Sequence, residues 1–218
     1  MRPARVLPPA LLACLLLAGC SSVRLGDPAA SATNSPAGAP APAGGGKVIA
    51  VGAGPQKHYT VQQQPPAGSC HYRYEHGEPL EDRKCTPGAI SPAVTQANLG
   101  STICRKGGYT SGIRPSAYIT GKEKRLNAAS YGYTGRMADA EYDHLISLQL
   151  GGDPNDPRNL WVEPADPGHR KGAGVNNRKD PVETKLHTAV CSGQITLAAA
   201  QKAIVTDWNT ALTSLHLG

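Results

Sequence analysis

The sequence predicts a small α+β domain, tied by disulfide bonds and ending in a pair of helices. Residues 145–150 and 160–162 are short apolar runs of strand length, joined by a polar loop that begins with Gly151 and Gly152. Beyond residue 180, apolar side chains recur at helical spacing. Four of the six cysteines lie between residues 70 and 191, which is enough for two disulfide bonds.

The two C-terminal helices have clear boundary signals. Asp180 as N-cap, Pro181 at the first position and Glu183 at the third predict a helix that ends at Gly193. Thr196 predicts the N-cap of a second helix, whose apolar repeat continues to Trp208. The apolar face of each helix indicates a structural role for both.

Polar side chains stand at the head of each predicted strand. Asp143 and His144 precede the first apolar run, and Asn159 precedes the second. A hairpin of these strands would bring His144 and Asn159 towards each other. Because neighbouring strand residues point to opposite faces, Asp143 and His144 can serve one cleft from two sides.

Asp143 with His144, the apolar run, the two glycines, and Asn159 with Leu160 and Trp161 resemble the HNH (ββα-metal) endonuclease motif. The wider pattern, from about residue 85 to residue 208, resembles exported or lipid-anchored bacterial proteins of this type. The resemblance implies a ββα-metal (HNH) core within the α+β domain. It implies that His144 is the general base, that Asp143 is a metal ligand, and that Asn159 orients the histidine.

The third motif residue has two candidates. Asn177 matches the position before the helix, whereas His169 lies nearer the usual spacing from Asn159 but falls in a Gly/Pro-rich loop. Asn177 is preferred. Its oxygen ligand favours Mg²⁺ or Mn²⁺ over Zn²⁺, whereas His169 would favour zinc or nickel. Glu141 and Asp153 are spare carboxylates that could hold metal-bound waters or face solvent.

Cations are expected to bind the phosphates of a nucleic acid. Arg178 and Lys179 lie at the start of the predicted helix, where backbone N–H groups also favour anions. Arg136 and Arg114 are candidates for the cation beside the scissile phosphate. The section 56–140 is basic and contains tyrosines, which suits phosphate binding and base stacking but also suits an ordinary solvated surface. Its basic residues are Arg105, Lys106, Arg114, Lys122, Lys124, Arg125 and Arg136.

Within this section, residues 101–104 predict a strand, residues from 120 onward predict a basic helix, and residues 75–84 predict an exposed charged loop. The net charge is +6, and removal of Arg2 and Arg5 would leave +4. This mild excess is compatible with DNA or RNA as partner but does not require it. No protein partner is deducible.

The N-terminus predicts export. Residues 1–19 combine a basic start with a short apolar run, as in a signal peptide. The run ends in Leu17, Ala18, Gly19 and Cys20, which resembles a bacterial lipobox and implies lipidation of Cys20 and a membrane anchor. Ser21 and Ser22, rather than an acidic residue, directly follow Cys20, so an outer membrane is expected where two membranes exist. Residues 20–55 predict a flexible tether rich in Ala, Gly and Pro, leaving 56–140 and 141–218 for the domain.

The remaining cysteines, Cys70, Cys85, Cys104 and Cys191, form an even set, which in an exported chain indicates two disulfides. Three pairings are possible, and Cys70–Cys85 with Cys104–Cys191 is favoured. The absence of a Cys-x-x-Cys spacing argues against a zinc site.

A nonspecific nuclease of the cell envelope is therefore the expected function, since no base-reading helix is evident. Two alternatives stay open. One is a non-catalytic envelope lipoprotein that uses the hairpin as a binding scaffold. The other is a glycan hydrolase that uses Glu141 and Asp143, although such chemistry needs two carboxyl groups across a sugar.

Overall fold

Three two-stranded sheets and a set of α-helices form the part of the chain that the structure, a computed structural model, describes: residues 48–175 and 177–218. The predicted signal peptide, Cys20 and the tether up to residue 47 lie outside the described residues. The strands are β1 (Ala50–Val51), β2 (Arg73–Glu75), β3 (Glu78–Leu80), β4 (Ala89–Ile90), β5 (Glu141–His144) and β6 (Leu160–Glu163). The helices are α1 (Ala117–Ser130), α2 (Lys179–Cys191), α3 (Leu197–Thr206) and α4 (Ala211–Ser214).

The central strand pair is β5 and β6, which are antiparallel with Asp143 opposite Trp161 and His144 opposite Leu160. The first strand thus ends at His144, whereas the sequence predicted it over residues 145–150. That run is buried as expected, but it continues as a loop and a 3₁₀ helix, Leu148–Leu150. A short apolar run has the composition of any buried segment, so its periodicity does not distinguish a strand from a buried loop.

The two glycines after this run are required by close packing. A Cβ atom at Gly152 would lie 1.7 Å from the carbonyl oxygen of Ile146, so any other residue would push the loop apart. Gly151 has a φ of 74°, a left-handed conformation that ends the 3₁₀ helix and that glycine adopts without strain. The loop between β5 and β6 therefore depends on both positions.

The predicted C-terminal helix pair is confirmed. Arg178 rather than Asp180 is the N-cap of α2, while Thr196 caps α3 by accepting a hydrogen bond from Ala199. α3 ends before Trp208, but that side chain still packs into the largest core. Buried residues of this core come from α2, α3 and the loop after β5: Leu186, Val190, Leu197, Ala200, Ile204, Ile146 and Leu150.

The N-terminal half differs from expectation in three places. Residues 101–104 are not a strand, because a 3₁₀ helix, Gln96–Ser101, and turns occupy this region. Residues 75–84 are not a wholly exposed loop, because the β2–β3 hairpin buries Glu78, Leu80 and Glu81. Residues 50–54, assigned to the tether, belong to the domain: β1 pairs with β4, and the Gly54 amide donates to Asp153 at 2.6 Å.

Two disulfides join the chain in the favoured pairing. Cys70 is bonded to Cys85, and Cys104 is bonded to Cys191 at the end of α2. The first lies beside a small aromatic core that contains Tyr131. Within the described ranges, no helix is both long enough and apolar enough to cross a membrane.

Candidate functional site

Alternation along β5 and β6 gathers polar side chains on one face of the strand pair. Glu141 is opposite Glu163, and Asp143 is opposite Trp161, so these four residues share a face. The first turn of α2 lies over this face, since Lys179 contacts Asp143. The other face packs on α1, where Asn127 accepts a hydrogen bond from the Val162 amide.

His144 is buried and held in one orientation. Its Nε2 lies 3.1 Å from the carbonyl oxygen of Pro154. Because a carbonyl only accepts, Nε2 carries the hydrogen and Nδ1 of the neutral ring keeps its lone pair. Burial lowers the pKa of His144 to about 4, although the Pro154 contact and the Asp143 carboxylate oppose this shift. The imidazole is therefore neutral near pH 7, and its Nδ1 is unprotonated.

Asn159 is also fully buried, but its side chain bonds to backbone rather than to the imidazole. Its Oδ1 accepts from the Ile146 amide at 3.0 Å, and its Nδ2 donates to the carbonyls of Ile146 and Asp153 at 3.0 and 3.1 Å. The side chain thus completes the hydrogen bonds of Ile146 as a neighbouring strand would. It fixes the loop that carries Pro154, and so acts on His144 indirectly.

Asp143 is paired with a buried lysine. Lys179 Nζ donates to Asp143 Oδ2 at 2.7 Å, to the His144 carbonyl at 2.9 Å, and to Glu183. The Trp161 indole N–H also donates to Asp143 Oδ2, at 3.2 Å. All three protons of the ammonium are used, so Lys179 has none left for a phosphate. The sequence predicted that Lys179 binds phosphate, whereas its ammonium group is buried and bonded within the protein.

Asn177 lies where the sequence predicted, just before α2, and reaches the same face. Its Nδ2 donates to Glu141 at 2.9 Å and to Glu163 at 3.3 Å, while its Oδ1 accepts from the Asp180 amide at 3.2 Å. The nitrogen of the amide, rather than its oxygen, thus faces the carboxylates. Asn177 and Asp143 thus border the same carboxyl groups, but the Asn177 oxygen that would bind a metal accepts from Asp180 instead.

The cluster contains four carboxyl groups, and burial disfavours the charged form of three of them. Burial raises the pKa values of Glu141 and Glu183 to about 7, and it raises that of Glu163 well above its usual range, with Asp143 adding to the effect on Glu141 and Glu163. Burial alone would lower the pKa of Lys179, but Asp143 and Glu183 raise it well above its ordinary value. Lys179 therefore stays charged among several carboxyl groups that compete for protons or cations.

A basic cleft lies within electrostatic reach of His144. It has a volume of about 410 Å³, and Lys57, His58 and Arg114 are among its lining residues. The charge of Arg114 lowers the pKa of His144 and of Asp180, so its field reaches both groups. The positive charges of this cleft can hold an anion, although His144 itself does not line it.

The other predicted residues have partners elsewhere. His169 Nε2 lies 3.8 Å from Asp139 Oδ1, and Arg136 lies 3.8 Å from the other oxygen of the same carboxylate. Arg178 pairs with Glu78. His169 therefore contacts Asp139 rather than the Asp143 cluster, and Arg136 is held in the same group.

Asp153 and Tyr131 have structural roles. The spare carboxylate Asp153 accepts from the backbone amides of Gly54, Asn155 and Asp156, so it holds loops together. Tyr131 is buried against Trp161 and cannot stack on a base, because its exposed fraction is 5%.

One compact group of metal-ligand types lies outside this cluster. In the described part of the chain, only Cys104, His187 and Cys191 bring three such ligand atoms within 4.8 Å of one another. Both sulfurs belong to one disulfide, so this group offers thiolates only after reduction. No three carboxyl groups of the strand pair, among the described residues, bring their oxygens this close together.

Sequence reasoning missed Glu163, Glu183 and the Pro154 carbonyl. The signal for Glu163 was present: it lies two residues after Trp161, so it shares that residue's face of the strand. Finding it required the correct register, in which β5 starts at Glu141.

Comparisons with known proteins add no assignment. The chain matches no protein-family model, and the searches of curated proteins and of solved structures find no significant match either.

Proposed function

We propose that this protein is a metal-dependent, nonspecific HNH-type nuclease that hydrolyses phosphodiester bonds of DNA or RNA in the cell envelope. One observation carries the proposal: His144 is neutral, is fixed by the Pro154 carbonyl, and follows Asp143 at the end of a strand whose other face is covered by carboxylates. The ββα-metal core is part of the proposal, with β5, β6 and α2 as its elements.

In this mechanism His144 is the general base. Its Nε2 donates to Pro154, so Nδ1 takes the proton of the attacking water. Asn159 is a positioning residue, because it holds the loop on which Pro154 lies. Lys179 neutralises part of the charge of Asp143 and fixes the first turn of α2 against β5.

The residues present fit a hard divalent cation. The cluster offers oxygen ligands, and Glu163 Oε1 is buried with no hydrogen-bond partner in the described structure. Asp143 and Asn177 were the ligands expected from the sequence resemblance. A bound Mg²⁺ or Mn²⁺ would stabilise negative charge that develops on the phosphate oxygens.

The basic cleft supplies the site for the substrate. Lys57, His58 and Arg114 come from two separate segments and line the same space. They would hold the phosphate backbone by charge, which is sequence-independent and agrees with nonspecific cleavage. Arg114, which is exposed and whose charge acts on His144, is the residue expected beside the scissile phosphate.

Export of the protein is part of the same proposal. Two disulfides fit an oxidising compartment such as the cell envelope. The lipid anchor on Cys20 rests on the sequence alone.

A second candidate function is a non-catalytic envelope protein that keeps the strand pair as a binding scaffold. One observation favours it: Lys179 already occupies the Asp143 oxygen that also accepts from Trp161, as in a satisfied structural ion pair. In that case His144 is a buried structural histidine.

Cleavage assays separate the two candidates. The purified full chain is incubated with plasmid DNA and with RNA, in Mg²⁺, in Mn²⁺ or in chelator. We expect metal-dependent cleavage that falls by about 10²- to 10⁴-fold in His144→Ala, the range for a lost general base. His71→Ala, at an exposed position, is the matched control and is expected to cleave normally. A folded wild-type chain that leaves both substrates intact in both metals would support the scaffold.

A further inference from the structure

The face of β5 and β6 carries more carboxyl groups than cationic groups among the described residues. Glu141, Asp143, Glu163 and Glu183 surround a single ammonium, that of Lys179. The ammonium donates its three protons to Asp143, to Glu183 and to the His144 carbonyl. Among the described residues, Lys179 therefore makes no hydrogen bond to Glu141 or Glu163.

Glu141 and Glu163 form a pair of their own. They are opposite each other in the strand register, and the same nitrogen of Asn177 donates to both. A neutral amide is the shared partner of these two carboxyl groups. Burial without a full partner is costly for a carboxylate, so the pair favours uptake of a proton or of a cation.

One oxygen of this pair is buried and has no partner among the described residues. Glu163 is 1% exposed, and its Oε1 has no hydrogen-bond partner in the described structure, although its Oε2 contacts Asn177. Glu141 is half-buried, so the pair is connected to solvent from one side. Water and a hydrated ion can enter by that side.

We propose that Glu141 and Glu163 together hold a Mg²⁺ or Mn²⁺ ion. Mg²⁺ is commonly bound through one or two carboxylates while it keeps several waters, so a compact cage of three ligands is not needed. Asp143 is less available, because Lys179 and Trp161 both donate to its Oδ2. The proposal deepens the nuclease function, and it rests on that function only for the use of the ion in hydrolysis.

Direct metal binding tests the pair without any cleavage step. Mn²⁺ is titrated into the purified full chain, and free Mn²⁺ is measured by electron paramagnetic resonance. We expect wild-type binding, with affinity reduced by at least about tenfold in Glu163→Gln and in Glu141→Gln, since loss of a supporting contact alone weakens metal sites by 10- to 100-fold. Glu123→Gln, which removes a buried carboxylate on α1, is the matched control and should keep wild-type affinity.

Glu163→Gln alters a buried side chain and could unfold the chain. Glu141 is half-buried and tolerates substitution better, so Glu141→Gln keeps the test decisive. Wild-type affinity in either folded variant, or no Mn²⁺ binding by the wild type, overturns the proposal. A chain that cleaves DNA while Glu141→Gln retains wild-type Mn²⁺ affinity keeps the nuclease function and loses the pair. If Mn²⁺ binds through the pair but no nucleic acid is cleaved, the metal site is supported and the nuclease function is contradicted.

Discussion

Glu123 on α1 illustrates the effect of burial on a carboxylate outside the candidate site. It accepts a hydrogen bond from the Gln62 amide at 2.7 Å, and burial raises its pKa to about 7 from the ordinary 4.5. Between these values the folded chain holds a proton that the unfolded chain has lost. The associated stability is complete below about pH 4.5 and is lost as the pH rises through about 7.

Glu123→Gln removes this titration and keeps an acceptor for Gln62. Between about pH 5 and pH 8, we expect the wild type to lose stability relative to the variant, on the order of 1 kcal/mol after solvent screening. Thermal unfolding at a series of pH values measures the difference. Glu75→Gln, on the exposed edge of β2, should follow the wild type. Parallel curves for Glu123→Gln and wild type would contradict the assigned shift.

At this scale the sequence placed some residues of the site and missed others. Asp143, His144 and Asn177 were found from the motif, and the structure gathers them near one strand pair. The partners of Asn159 could not be predicted, because they depend on how the loop after β5 folds back. Glu163 was missed because its importance comes from the residue opposite it, Glu141.

Helix α2 begins with a buried ion pair rather than with a phosphate-binding lysine. Lys179 is 1% exposed, and it compensates Asp143 and Glu183. Lys179→Met would leave both carboxylates without their cation. We expect a loss of about 3 kcal/mol in the free energy of unfolding, measured by urea denaturation.

Lys185→Met, on the exposed side of the same helix, is the control and should change stability by less than about 0.5 kcal/mol. If Lys179→Met unfolds like the wild type but binds nucleic acid more weakly, the phosphate-binding role predicted from the sequence is correct instead.

Helices were more predictable than strands in this chain. Caps and a 3.6-residue repeat are local signals, so α2 and α3 were placed within a few residues. β5 was misplaced because none of its four residues, Glu141 to His144, is aliphatic and two of them are carboxylates. The apolar run that followed was buried by packing on α2 and α3, which the sequence pattern alone does not show.

Across the whole molecule, the disulfides close loops of very different length. Cys70–Cys85 spans 15 residues and Cys104–Cys191 spans 87. Loop-closure entropy predicts that replacing the first pair with alanine costs about 3 kcal/mol and the second about 4 to 5 kcal/mol. Urea denaturation of the two double-alanine variants gives both values. A larger loss from the short loop would contradict this order.

The arrangement of the domain also set limits on prediction. The even cysteine count and the helix pair led to the correct disulfides and the correct α+β class. The pairing of β1 with β4 joins residues far apart in sequence. Each strand has only two residues, which is too short for an alternating pattern that would predict it. Long-range contacts of this kind depend on the assembled fold.

Chemical rescue tests the central claim, that His144 is the base that activates water. His144→Ala leaves a space where the imidazole was. Added imidazole can bind there and take the proton from the attacking water. We expect metal-dependent cleavage by the variant to increase with imidazole concentration, while the wild type and His71→Ala are unaffected. Rescue of this kind would assign the proton transfer to position 144. A folded variant that stays inactive at every imidazole concentration, or one that cleaves as fast as the wild type without imidazole, would contradict the account.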